Sequence, residues 1–223
     1  MHEFFKKYRV IPLTFALILF WTPVLIFAQI ADEILEREPI GVDAAILNWL
    51  HFISNNFLDI FFFCITTIGN IECLLPITVL IVAYLLYKKQ RRNALLVTFG
   101  VGGAAAANLV LKYVFQRDRP SLWSQLIIEH GYSFPSGHAM ASSALVLCLI
   151  VILWNTRWRL VALIGGGIIA LLIGVSRLYF GVHYPSDILA GWSVSLVWVF
   201  IVVVIVRGLS FLRRPNQVEP KLL

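Results

Sequence analysis

The chain has 223 residues, of which 60% are hydrophobic and 13% charged, with a mean hydropathy of +0.85. A soluble domain carries about 25% charged residues, so this chain lacks the polar material to cover a soluble globule and reads as an integral membrane protein, one domain spanning residues 1–223. The net charge of +6 does not point to nucleic acid, because the basic residues punctuate the apolar runs, as they do in membrane proteins.

In chain order, six apolar runs can span a bilayer, at about 10–29, 72–87, 94–113, 139–154, 160–179 and 187–207, each close to the ~20 residues a crossing needs. The first follows Lys6, Lys7 and Arg9 but is long and lacks a small-x-small cleavage site, so it reads as a retained span and not a signal peptide. An acidic stretch with Asp32, Glu33, Glu36, Glu38 and Asp43 comes next. The segment from Ala44 to Ile68 mixes Trp49, His51, Asn55, Asn56 and Asp59 with bulky apolar residues. It is expected to lie along the membrane surface or pack on the bundle. Cys64, Cys73 and Cys148 lie in apolar stretches with no paired spacing and read as buried thiols. The tail beyond Arg213 reads as a disordered cytoplasmic end.

Charge orients the bundle. With both termini inside, the inner segments hold 13 of the 18 basic residues: Lys6, Lys7, Arg9; Lys88, Lys89, Arg91, Arg92; Arg157, Arg159; and Arg207, Arg213, Arg214, Lys221. Positive charge collects on the cytoplasmic side. The five left outside are Arg37, Lys112, Arg117, Arg119 and Arg177. Residues kept against that bias, at the ends of spans, are functional candidates.

Three clusters at outer span ends carry the chemistry. Lys112 and Arg119 stand seven residues apart before Pro120. That is about two helical turns, with the proline expected to stop the helix and aim Arg119; the alternative is that both side chains snorkel to headgroups. Pro135-Ser136-Gly137-His138 precedes the fourth span. A helix N-terminus offers unpaired N–H groups and a partial positive charge to an anion. Gly137 permits close approach, Ser136 adds a hydroxyl or an N-cap, and His138 exchanges a proton near neutral pH. Ser176-Arg177 ends the fifth span, and His183 and Asp187 flank the turn into the sixth. A carboxylate there can accept one imidazole N–H and leave the other nitrogen as nucleophile or base; the alternative is a plain helix cap. The topology puts all three clusters on one face. Lys112, Arg119, Arg177 and a helix N-terminus suit a multiply charged oxyanion, and two histidines with an aspartate make phosphoryl transfer the natural chemistry. No cluster has metal-ligand spacing.

The three clusters together resemble the signature of the type 2 phosphatidic acid phosphatase (PAP2) family, K-x6-R-P, P-S-G-H and S-R-x5-H-x3-D, matched at every signature position from Lys112 to Asp187. The resemblance implies an all-α, polytopic bundle of six transmembrane helices with a PAP2/haloperoxidase-like core. It implies that His183 attacks phosphorus while Asp187 orients it, and that His138 protonates the leaving oxygen and then activates water. Lys112, Arg119, Arg177, Ser136 and the Gly137 N–H would hold the phosphoryl oxygens, with no metal or other cofactor. The expected partner is a membrane lipid phosphate: phosphatidic acid, phosphatidylglycerol phosphate or undecaprenyl diphosphate. A compact chain with short connections suggests a bacterial inner membrane, with the site on the outer face. Three other readings stand beside this one. A soluble haloperoxidase conflicts with the spans; a lipid-phosphate binding or transport protein does not explain the His–Asp pair; a lipid phosphotransferase would share the first half-reaction. Oligomeric state is not legible.

Overall fold

The computed structural model describes residues 13–36, 41–124 and 126–212. It is all-α: α1 (Leu13–Leu35), α2 (Gly41–Phe52), α3 (Asn56–Gly69), α4 (Ile71–Tyr87), α5 (Arg91–Phe115), α6 (Gly137–Leu153), a π turn (Val161–Gly165) leading into α7 (Gly166–Tyr179), and α8 (Pro185–Leu212). Four stretches, 17–35, 91–115, 161–179 and 185–208, are long and apolar enough to cross a membrane. The pair α3 and α4 makes a fifth when its 46° bend is counted as a break within one span. The chain is thus a multi-pass membrane protein. The span expected at 139–154 is α6, apolar but only 17 residues long, short of the ~20 that a straight crossing takes. The run expected at 72–87 is the second half of the bent pair.

Other expectations shift as well. The acidic stretch is not one connection: α1 continues through Asp32 and Glu33, and Asp43 is buried on α2. Residues 44–68 form two helices, because Asn55 breaks the run and caps α3, its Oδ1 accepting from the N–H groups of Phe57 and Leu58 at 3.1 Å. Both pack on the bundle, with Leu47 and Leu50 of α2 against Leu178 and Ile188, and Phe62 of α3 against Tyr179, Phe180 and Val182. Arg37, Glu38, the N-terminal Lys6, Lys7 and Arg9, and the tail beyond Arg213 lie outside the described residues.

The central core joins α4, α5, α6 and α8 through Leu85, Leu96, Val97, Ala104, Leu145, Cys148 and Val199. Lipid tails are as apolar as leucine, so helices associate here by close packing, which favours small interface residues. Gly103 shows why: a Cβ there would stand 2.2 Å from the Trp198 ring. At Gly100 it would stand 2.5 Å from the Cys148 sulfur. These contacts bring the middle of α5 against α6 and α8. Lys88 and Lys89 lie in the α4–α5 connection, Arg91 and Arg92 open α5, and Arg157 and Arg159 lie between α6 and the π turn, while Arg207 donates to the Val151 carbonyl at 3.1 Å. The opposite end of the bundle, where α5 and α7 finish and α6 and α8 begin, holds the three clusters.

Candidate active site

Helix α5 does not run to Pro120. It stops at Phe115, where Gln116 turns into the left-handed region (φ 46°) and its N–H closes on the Lys112 carbonyl at 3.0 Å. Arg117 and Arg119 are therefore loop residues, released from helical spacing. Arg119 donates from Nε to the Gly131 carbonyl at 2.9 Å and from Nη1 to the Val182 carbonyl at 2.9 Å. Its Nη1 also lies 3.3 Å from His183 Nε2. Lys112 Nζ donates to the Tyr132 carbonyl at 2.8 Å. The connection between α5 and α6 is thus folded over the cluster by its own carbonyl groups.

His183 sits in the turn between α7 and α8, 2% exposed, with Nδ1 3.3 Å from Asp187 Oδ2. A guanidinium can only donate, so the nitrogen facing Arg119 carries the lone pair and Nδ1 carries the proton toward Asp187. Burial, then the positive charges of Arg177, Arg119 and Lys112, holds the imidazole well below its usual range, so it is neutral at pH 7. That is the form a nucleophile or base needs. Asp187 opens α8, and its second oxygen meets Arg117 Nη1 at 2.6 Å. The Ser136 N–H donates to the Asp187 carbonyl at 3.1 Å, tying the start of α6 to the start of α8.

Ser136 precedes α6 without capping it through its side chain, and its Oγ is buried with no hydrogen-bond partner. Arg177, 1% exposed, donates from Nη1 to Thr66 Oγ1 at 2.6 Å and pairs through Nη2 with Glu129, while its Nε is likewise buried without a partner. Buried polar atoms are nearly always satisfied, so Ser136 Oγ at the start of α6 and Arg177 Nε are two donors with hydrogen-bonding capacity left to offer; a helix N-terminus suits an anion. Gly137 fits close against α5: a Cβ would stand 3.1 Å from Asn108 Oδ1, and Asn108 Nδ2 donates to the Pro135 carbonyl at 2.9 Å. His138 follows, its Nε2 2.7 Å from Asn70 Oδ1. A cleft of 940 Å³ begins at Glu129, Gly137 and His138 and continues between α4 and α5 past Leu75, Val82 and Val101 to Leu86. Beyond Asn70, Glu72, Asn108, Glu129 and His138 its lining is mostly apolar. Among the described residues, no group of three His, Cys, Asp or Glu stands where it could hold a metal.

Four residues outside the sequence-derived set belong to this constellation. Arg117 bridges Asp187 and Asp43, the latter through Nη2 at 2.9 Å, and stacks over the Tyr184 ring at 4.1 Å. Its place among the few outer basic residues was the available signal. Asp43 also accepts from the N–H of Ser186 at 2.9 Å and from its hydroxyl. Glu129 reaches Arg177 and stands 3.7 Å from Arg119. Burial alone would raise its carboxyl, but Arg177 beside it, by charge and hydrogen bond, holds it below the usual carboxylate range. Asn70 and Glu129 stand apart from the three clusters, and nothing in their local sequence marks them.

Comparison with known proteins agrees with this architecture. The family model described as the PAP2 superfamily matches residues 77–210. Phosphatidylglycerophosphatase B of Bacillus subtilis is 34% identical over 143 residues, covering 62% of this chain and 70% of that protein. Undecaprenyl-diphosphatase of Sulfolobus acidocaldarius is 29% identical over 148 residues, 64% of this chain and 68% of that one. The crystal structure of a transmembrane PAP2 type phosphatidylglycerolphosphate phosphatase from Bacillus subtilis superposes with a TM-score of 0.72 at 29% identity, over 87% of this chain and 98% of that chain. LpxE of Aquifex aeolicus shares the fold, with a TM-score of 0.62 at 21% identity over 73% and 94% of the two chains. The chain belongs to the PAP2 superfamily and is a phosphoric ester or anhydride hydrolase of the PAP2 lipid-phosphatase type.

Proposed function

We propose that the chain removes phosphate from a membrane lipid phosphate through a phosphohistidine on His183, at the extracytoplasmic face. His183 Nε2 donates its lone pair to phosphorus as the bond to the lipid oxygen breaks. His138 gives that oxygen a proton, then takes one from water as the water oxygen displaces the imidazole. Asp187 holds Nδ1 and offsets the positive charge that develops on the ring. Lys112, Arg119, Arg177, the Ser136 hydroxyl and the Gly137 N–H bind the phosphoryl oxygens as their charge redistributes. The observation that carries this reading is the buried His183, fixed with Nδ1 on Asp187 and Nε2 facing Arg119.

The apolar cleft between α4 and α5 supports lateral entry of a lipid tail, with the headgroup reaching the cradle past Glu129 and His138. Phosphatidic acid, phosphatidylglycerol phosphate and undecaprenyl diphosphate are the candidate substrates. Six spans, with α6 and the bent pair each counted as one, and cytoplasmic termini complete the reading; a cysteine at Ser121 should then react with an impermeant reagent in intact cells. The direct test is inorganic phosphate release in detergent with a chelator present, over these three lipids, wild type beside His183→Ala. Release by wild type alone supports the reading. Equal release by the variant removes His183 as nucleophile, and no release from folded protein favours transfer to another acceptor.

A further inference from the structure

We propose that Asn70, at the break between α3 and α4, is the positioning residue for His138, with its amide oxygen holding the imidazole as the Nε2–H tautomer. The proposal rests on the acid–base role assigned to His138 above and adds the group that sets its orientation.

Two asparagines begin consecutive helices, and they behave differently. Asn55 caps α3 in the ordinary way, its side-chain oxygen accepting from two free N–H groups of the first turn. Such capping is what makes asparagine common at this position. Asn70 begins α4 with the extended backbone of a cap (φ −67°, ψ 153°), yet its side chain makes no capping bond. Its backbone is used instead: the N–H donates to the Thr67 carbonyl at 3.2 Å, and its carbonyl accepts from Cys73 and Leu74 at 3.1 and 2.9 Å. The side chain is thereby free to leave the helix, and its Oδ1 stands 2.7 Å from His138 Nε2.

The neighbouring residue makes the approach possible. A Cβ on Gly69 would stand 2.7 Å from the Ile173 side chain and 3.0 Å from His138 Cδ2. The ring therefore has its Cδ2 edge against Gly69 and its Nε2 on Asn70, which leaves the Nδ1 edge turned away from the break. An amide oxygen can only accept, so Nε2 keeps its proton whether the ring is neutral or charged. Nδ1 is then the nitrogen that gives a proton to the leaving oxygen and takes one from water. The two histidines are held in opposite senses: Asp187 grips Nδ1 of His183 and leaves Nε2 to attack, whereas Asn70 grips Nε2 of His138 and leaves Nδ1 to shuttle. A neutral amide orients the ring without pinning it in the charged form. The charged or titratable groups facing His138 are Lys112 of α5, Glu129 of the α5–α6 connection, Arg177 of α7 and His183.

The test compares Asn70→Leu and Asn70→Asp with wild type in full-length protein, in mixed micelles with whichever of the three lipids wild type hydrolyses fastest. General acid–base catalysis contributes about 10²- to 10⁴-fold, so Asn70→Leu should lower kcat at least about tenfold. KM and competitive inhibition by inorganic phosphate should stay within about twofold, because among the described residues the hydrogen bonds of Asn70 go to His138, Thr67, Cys73 and Leu74 and to none of the proposed phosphoryl-binding groups. Asn70→Asp keeps an acceptor and should recover most of kcat. Its added carboxylate favours the imidazolium, so its kcat–pH profile should move to higher pH by about one unit or more. The proposal is overturned by normal kcat in Asn70→Leu, by loss of phosphate inhibition together with kcat, or by an Asn70→Asp profile that stays in place. An Asn70→Asp as slow as Asn70→Leu would overturn it too, since the amide would then be serving as a donor. Phosphate release by wild type separates the two levels: without it the proposed function falls and takes this inference with it, and with it only the inference is at stake.

Discussion

Replacing Arg117 by Met should damage catalysis through a residue that holds no phosphate. One guanidinium serves two carboxylates, Asp187 at 2.6 Å and Asp43 at 2.9 Å, whose side chains are 0% and 5% exposed. Methionine fills similar space and leaves both acids buried without their partner. Breaking a buried pair by removing one member typically costs about 3–5 kcal/mol, divided here between folding and the alignment of Asp187 on His183. If about 2.7 kcal/mol of that falls on the transition state, kcat/KM drops roughly 100-fold. Arg117→Lys keeps the charge but cannot fork to both acids, so it should fall between wild type and Met. The assay is phosphate release with thermal unfolding in the same detergent, extended to Asp43→Asn and the double variant. Removing the second acid relieves part of the damage, so the two changes should be non-additive by at least about 1 kcal/mol. An Arg117→Met enzyme within threefold of wild type, with unchanged unfolding, would refute the reasoning.

Arg119→Lys should lose at least about tenfold in kcat/KM, because Lys has no planar fork to satisfy several carbonyls while facing His183; wild-type kinetics would make Arg119 a headgroup contact. Glu129→Gln should tighten competitive inhibition by inorganic phosphate at least about threefold, since the carboxylate pairs with Arg177 through Nη2 and repels an anion approaching the same guanidinium. Weaker inhibition would show that Glu129 supports the cradle and does not compete for it. Stability should fall with acid through His183. Its folded-state imidazole titrates well below its ordinary range, so its contribution is complete above the unfolded value of about 6.5 and is lost as pH drops toward the folded one, at up to about 1.36 kcal/mol per unit. Unfolding temperatures between pH 7.5 and 5.5 should therefore decline less in His183→Gln than in wild type, and parallel curves would contradict this.

The residues most legible in the sequence were those whose chemistry dictates their type. Lys112, Arg119, Arg177, Ser136, Gly137, His138, His183 and Asp187 could be named from charge placement, a helix start and a resemblance, and the structure gathers their segments at one end of the bundle. Their geometry was less accessible. Pro120 looked like the helix stop, but Gln116 had already turned the chain, a left-handed conformation that glutamine rarely signals. Asp43 and Arg117 meet across 74 residues, and no local pattern encodes such a pairing. The bent pair α3–α4 read as a mixed segment plus a span because its polar residues are spread along it: Asn55 and Asp59 meet Tyr179, Thr66 meets Arg177, and Asn70 meets His138.

The shared guanidinium of Arg117 also sets how this candidate site can be cut and rejoined. Its two acids come from α2 and α8, far apart in the chain. A chimera that moves only segment 112–187 of this chain into a relative would seat Arg117 opposite whatever the host carries at position 43. Without an acid there, the imported arginine keeps one carboxylate of the two it bridges here, and Ser186 loses the acceptor of its backbone N–H and hydroxyl. An exchangeable module is therefore discontinuous: besides the signature segment it takes in α2, and with it Thr66 and Asn70, which meet Arg177 and His138.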